Sequence, residues 1–478
     1  MGTTVFRDVS WLVACEQEEH VYLRDVDFAF DNGAVTFIGK RYDGPFEQEF
    51  DGTDRLLFPG LVNIHSHPAS EPLRKGITDE TLSPGFHHSS LYEFLTVFDN
   101  DDEGKLPSLR VALAELLLSG CTTLVDISAP HEGWIETLAQ SGMRAVVAPS
   151  FRSGRWLTRN GHSLDYEWDE AAGKRAFEGA LKAIDAAAGH GCGRLSGMVM
   201  PAQVDTCTEE LLRDSFAAAV ERDVPWQTHA AQSVAEFHEM YKRHGKSPVK
   251  FLKDLGVLGQ RSILGHAIFL DHHPWLHWTT RDDLDILADH GTTVAHCPTV
   301  FARRGITLNS FGSYRRHGIN VGIGTDTYPH YMLDEMRNAG YFARVSTGTV
   351  ADHRTADVFH AATLGGAKAL GRDDIGRLAV GAKADFVVVD TKHRSMRPMR
   401  EPLRTLIFVA GERPIAEVWV DGHQVAAQGN TRTIDLEAEL ATLEAAQGRS
   451  MARTRQLDWA SRTADDLAPM MLPTKATR

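Results

Sequence analysis

The chain has 478 residues, 42% hydrophobic and 24% charged, the balance of an ordinary soluble globular protein and enough for an α/β barrel with an appendage. A formal net charge of −14 argues against nucleic acid or an anionic membrane surface as partner. No apolar run approaches the roughly 20 residues of a membrane span, and five cysteines without a Cys-x-x-Cys pair exclude a disulfide framework or a thiolate zinc cluster. With no basic-then-apolar stretch at the N-terminus, these features set the expectation of reduced thiols in a cytoplasmic protein.

Residues 1–58 read as β structure, with strands at 21–30 and 34–39 around the turn signal Asp31-Asn32-Gly33. Phe58-Pro59-Gly60 then leads into Leu61-Val62-Asn63-Ile64-His65-Ser66-His67, a strand that ends in two histidines. Period-two alternation puts Asn63, His65 and His67 on one face and apolar Val62 and Ile64 on the other, which is expected to pack on helices. Seven further short strands follow at 120–126, 143–149, 197–202, 224–229, 262–266, 292–296 and 319–326. Helical patterns separate them, clearest at 110–119 and 171–188. Eight such units between residues 59 and 375 predict a (β/α)8 barrel. From 376 to 433 the β signals return, at 386–390 and 418–425, so the two flanking segments are expected to form one β-sandwich beside the barrel. Residues 434–478 read as a charged, helical, solvated tail.

Histidines and one aspartate recur at the predicted strand ends. His65 and His67 close the first strand, His229 the fifth, His266 the sixth and Asp326 the eighth. A single histidine is most often a satisfied polar residue. Four of them with a carboxylate on the C-terminal rim of a barrel point to a divalent metal site. Cys297 reads as a buried thiol, His272, His273 and His277 as exposed, and Arg303-Arg304 as a solvated charge pair that could alternatively bind a substrate carboxylate.

These stretches resemble the amidohydrolase superfamily, in the branch that holds cytosine deaminase and atrazine chlorohydrolase. The resemblance rests on Pro59–His67, Gly265–Asp271, Ala295-His296-Cys297-Pro298, Gly322–Asp326, Leu333–Arg337 and Gly376–Phe386, and covers nearly the whole chain. It implies a metal-dependent barrel with a composite β-sandwich and a small-molecule substrate. Homo-oligomers are common in the branch, and one is expected here. His65, His67, His229 and Asp326 would hold one ion, zinc first, with iron, cobalt or manganese as alternatives, and His266 and Asp326 would be catalytic. No lysine stands at the fourth strand end, where two-ion members carry a bridging ligand. Deaminases of the branch place a glutamate three residues after the fifth-strand histidine, but Gln232 stands there and cannot act as an acid near neutral pH. Glu236 follows and is expected to point away from the ion. The substitution favours attack on an acyl carbon, as in the phenylurea and thiocarbamate hydrolases, which the segment 87–94 also resembles. Deamination or dechlorination of an N-heteroaromatic ring is the alternative, and a non-catalytic metal-binding barrel the second. Gln232, Tyr92, Phe151, Arg152, Trp156, His296 and His330 are the expected substrate contacts, from aromatic-rich rim loops that suit an apolar molecule.

Overall fold

A computed structural model describes residues 2–410 and 414–474; Met1, residues 411–413 and residues 475–478 lie outside the described residues, within the predicted sandwich and tail segments. Eight short parallel strands make the barrel: β1 (Leu61–Ser66), β2 (Cys121–Asp126), β3 (Arg144–Val147), β4 (Leu195–Gly197), β5 (Trp226–Ala230), β6 (Ser262–His266), β7 (Thr293–His296) and β8 (Val321–Ile323). They pair in order as two four-stranded sheets, β1 to β4 and β5 to β8. Parallel bridges Val199–Trp226 and Gln203–His229 close one seam, and Ser66–Asp326 closes the other. Three of the strand-end residues singled out above (His67, His229 and Asp326) therefore lie at or beside a seam, where regular pairing stops and side chains are free to converge.

The strands carry apolar residues on both faces, as a sheet covered on both sides must. Leu124, Val147, Leu264, Val294, Val321 and Ile323 pack outward against helical side chains such as Leu113, Leu138 and Leu252. Val125, Val146, Met198, Ile263 and Ala295 pack with one another inside the barrel, over Ala367, Leu370 and Ile375. Alternation assigns Val62 and Ile64 to the helix side, but the structure places both in this inner cluster. The reason is irregular pairing of β1 with β2, whose register slips between Leu61 and Val62 and again between Asn63 and Ser66. Each slip resets which face a residue presents. Asn63 instead bonds across the seam, its Nδ2 donating to Thr325 Oγ1 at 2.8 Å and its Oδ1 accepting the Thr325 and His65 N–H groups at 3.2 Å.

The flanking segments join in a composite sandwich, as expected. A seven-stranded sheet joins the N-terminal strands Trp11–Glu16, Glu19–Leu23 and Arg55–Pro59 edge to edge with the C-terminal strands Phe386–Asp390, Ile415–Val420, His423–Ala427 and Asn430–Thr431, through the pairing of Arg55–Pro59 with Phe386–Asp390. It faces a four-stranded sheet built from residues before position 52 across a core of Phe6, Phe28, Phe30, Phe386 and Trp419. Arg55–Pro59 runs straight into β1 through Gly60. A Cβ at that position would sit 2.0 Å from Thr122 Oγ1, so only glycine passes there. A buried fork, Arg144 Nε and Nη2 to the two Asp385 oxygens at 2.9 and 3.0 Å, ties β3 to the sandwich.

The tail is docked along one face and is not free in solvent, although its outer face and Met470, Met471 and Leu472 stay exposed. Its helix α2 (Leu436–Leu457) lies along α1 (Asp102–Leu118), with Leu443 and Ala446 against Leu73 and Val111. Beyond it, Ala464 and Leu467 pack on Ile77, Phe94, Val97 and Phe98, and Arg462 Nη2 reaches Glu93 Oε1 at 2.6 Å. The charged sequence hid this role because the apolar positions are few and their partners lie over 300 residues upstream.

Candidate metal centre and active-site cavity

His65, His67, His229 and Asp326 come together at the C-terminal mouth of the barrel, with one ligand atom from each within 4.8 Å of the others. Each imidazole has its Nδ1 proton committed: His65 to Gln227 Oε1 at 2.5 Å, His67 to the Ile127 carbonyl at 2.9 Å and His229 to the Ala202 carbonyl at 2.5 Å. Those acceptors fix the tautomer, so each Nε2 turns a lone pair inward. His67 Nε2 and His229 Nε2 lie 3.2 Å apart, and Asp326 Oδ1 lies 3.3 Å from His67 Nε2 and 3.6 Å from His65 Nε2. His65 Nε2 is buried and has no hydrogen-bond partner. Acceptors crowded in this way repel one another unless a cation sits among them, and three neutral imidazoles with a carboxylate form a donor set that suits a divalent ion.

Burial keeps the His67 and His229 rings neutral, with His67 pushed down to about 4 and His229 well below its ordinary value. Burial alone would raise the Asp326 carboxyl, but the imidazoles of His65, His266 and His67 crowded around it outweigh burial and hold the group well below the usual carboxylate range. His266 stands beside the cluster with Nε2 3.9 Å from Asp326 Oδ2 and its ring edge-on to Phe301. Both His266 and Asp326 have positive φ, 81° and 56°. The backbone thus turns sharply at these strand ends, a strained geometry that concentrates at functional sites. Cys297 is buried, as the sequence suggested, and its sulfur shares a second group with His65 and His266.

A cavity of about 920 Å³, counting its open mouth, adjoins the cluster. Of the expected substrate contacts, Gln232 and Trp156 line it; Tyr92, Phe151, Arg152, His296 and His330 do not. Tyr92 supports the wall from behind, packing edge-on against Trp156 and bonded to Ser233 Oγ at 2.6 Å. Phe151 is in the barrel core against Phe177, and Arg152 is exposed. His296 is buried near Phe311, and His330 is fully buried. Gln232, in the position of the missing glutamate, is 3% exposed and its Nε2 makes no hydrogen bond. Glu236 does not point away along its helix. Its carboxylate turns back beneath the end of β5 to accept the Ala231 and Gln232 N–H groups at 2.5 and 3.4 Å. Burial, then the nearby Asp205 charge, raises it well above an ordinary carboxyl.

Sequence reasoning missed Gln227, although it lies two residues before His229 on the same strand face. It also missed Glu71 and Arg74, which bound the short helical turn that follows His67 and are buried in the cavity wall. Arg303 and Arg304 line the cavity, so they are not a solvated pair, and His273 is buried against Phe269.

An eight-stranded barrel with a rim cluster of imidazoles and a carboxylate defines a metal-dependent hydrolase. A sequence profile of the Amidohydrolase family matches residues 56–425, and the chain belongs to that family, hydrolases acting on carbon–nitrogen bonds. It is 28% identical over 396 residues to a 5-methylthioadenosine/S-adenosylhomocysteine deaminase of Halobacterium salinarum, covering 82% of this chain and 86% of the relative. In structure it resembles an adenosine deaminase from Xanthomonas campestris with bound zinc, with a TM-score of 0.78 at 22% identity over 94% of this chain and 98% of the other. It likewise resembles an atrazine chlorohydrolase from Arthrobacter aurescens complexed with zinc, with a TM-score of 0.76 at 21% identity, over 93% and 100% of the two chains.

Proposed function

We propose that this chain is a mononuclear zinc aminohydrolase that releases ammonia from the amino-bearing carbon of an N-heteroaromatic ring. The observation that carries the metal is the committed Nδ1 proton on all three imidazoles, which leaves three lone pairs and Asp326 directed at one point. Support for ring deamination comes from the relatives, two of which are named as adenosine-type deaminases. His65, His67, His229 and Asp326 would hold the ion, and Gln203 stands near the fourth strand end where a second ion would need an acid or lysine. When bound, such an ion supplies Lewis-acid activation of water and substrate.

The protein's own groups account for the remaining steps. Asp326 is ionised, so one of its oxygens can take the proton of the attacking water and return it to the departing nitrogen. His266, with Nε2 3.9 Å from Asp326 Oδ2, would help orient that carboxylate. Gln232 donates from its free Nε2 to a ring nitrogen, which holds the ring but supplies no proton. Trp156 and Phe301 contribute apolar surface that excludes bulk water.

One observation favours a second reading, cleavage of an acyl C–N or C–S bond in a urea or thiocarbamate. With Gln232 at the rim, Glu71 and Asp326 are the only carboxyl groups lining the cavity among the described residues. The test is a panel assay of the metal-loaded protein on aminated purines and triazines against phenylureas and thiocarbamates. Ammonia from the first set, increased in Gln232→Glu, supports ring deamination. Arylamine or thiol from the second set, with no ammonia, replaces it with the acyl reading.

A further inference from the structure

The arginine-bearing part of the cavity wall carries more positive charge than it can pair. Arg74 is satisfied: it pairs with Glu71 and donates to the Phe98 and Leu95 carbonyls at 2.7 and 3.3 Å. Arg303 is satisfied too, bonded to the Tyr328 carbonyl, 3.4 Å from Asp79 Oδ1 and stacked over the Tyr328 ring. Arg304 differs from both. Its one hydrogen bond runs from Nη1 to the Val300 carbonyl at 2.6 Å, and its Nε is buried without a partner. Among the described residues no carboxylate oxygen lies within 4.0 Å of it, and Glu71, the acid that acts on it most strongly, is already committed to Arg74. A guanidinium keeps its charge at any physiological pH, and placing it half-buried without a counter-charge is unfavourable. An anion entering the cavity relieves that cost, and a carboxylate matches the planar N–H groups that remain.

Resting on the hydrolase reading above, we propose that Arg304 is the anion-recognising residue of this cavity, and that the substrate carries a carboxylate at the end remote from the bond being cut. The body between the two ends would be apolar or aromatic, because Leu91, Trp156, Phe301 and Ile306 line the same cavity as Arg304 and the cluster. Carboxylate and metal would then fix both ends of the molecule, which sets the reacting carbon in place.

The experiment is a titration of the full-length protein, metal-loaded and after chelation, with benzoate and with its neutral isostere benzamide, read by quenching of tryptophan fluorescence (Trp156 lines the cavity). Benzoate is expected to bind about tenfold tighter than benzamide in both states. Arg304→Gln should bring the ratio to about one, Arg304→Lys should restore part of it, and metal content and thermal unfolding should match the parent. A preference seen only in the metal-loaded protein, one that persists in Arg304→Gln, or no benzoate binding up to its solubility limit overturns the assignment. The titration measures neither turnover nor ammonia, so it can fail while the hydrolase reading stands, and the converse also holds.

Discussion

Around the imidazole cluster the main chain does most of the holding, while the wall facing it is held by side chains from distant segments. Two of the three Nδ1 protons end on backbone carbonyls and the third on Gln227, whose own Nε2 is fixed by the Ile64 carbonyl at 3.1 Å. The facing wall contains Glu71, Arg74 and Leu95, and its supports include α2 and the segment after it, through Leu443 on Leu73 and Arg462 on Glu93. A cluster fixed by strand ends has a single geometry. A wall fixed by a clasp can change with the clasp while the cluster stays as it is.

Asp326→Ala should have the largest effect, since it removes the only carboxylate of the cluster. Turnover is expected to fall by roughly 10³-fold or more, with loss of bound metal measured by elemental analysis of the folded protein. Next comes acid sensitivity away from the cluster. Burial pushes His296 and His330 down to about 3, so each stays neutral in the folded state while the unfolded chain takes up a proton near pH 6.5. The unfolded state therefore binds more protons below that pH, and stability must fall as pH drops from about 6.5 toward 3. At pH 5 the loss is about 2 kcal/mol for each ring, and urea unfolding at pH 7 and pH 5 measures it, with His330→Asn reducing the difference. Gln227→Leu takes the acceptor from His65 and should weaken metal binding about 10–100-fold in competition with a chelator, without moving the cavity wall. Arg462→Ala is the converse and the smallest. It should cost about 1 kcal/mol of stability, leave metal affinity unchanged and shift KM more than kcat. If Arg462→Ala lowered metal affinity as much as Gln227→Leu does, the separation between cluster and wall would be wrong.

The same contrast explains what could be read from the sequence. His65, His67, His229, His266 and Asp326 stood out because strand ends recur at barrel spacing and each residue needs only its own strand to place it. Val62 and Ile64 were assigned to the wrong face because a register slip between two strands leaves no mark in either one. Glu71, Arg304 and the tail were missed or read as solvated because their burial depends on segments far along the chain. Phe151 and His330 sit on the right loops, yet pack into the core instead of facing the cavity. Gln232 was read correctly as a residue but not in its setting, since nothing local shows that Glu236 folds back beneath it.

The strand that feeds β1 has a consequence for how the protein is made. Arg55–Pro59 pairs along its length with Phe386–Asp390, Leu57 opposite Val388, and Gly60 takes the Asp385 carbonyl at 2.9 Å. On the ribosome the His65 and His67 segment emerges early, but the strand that steadies its base is translated only after the whole barrel. A chain cut before Phe386 would therefore present His65 and His67 on a strand whose base lacks its pairing partner.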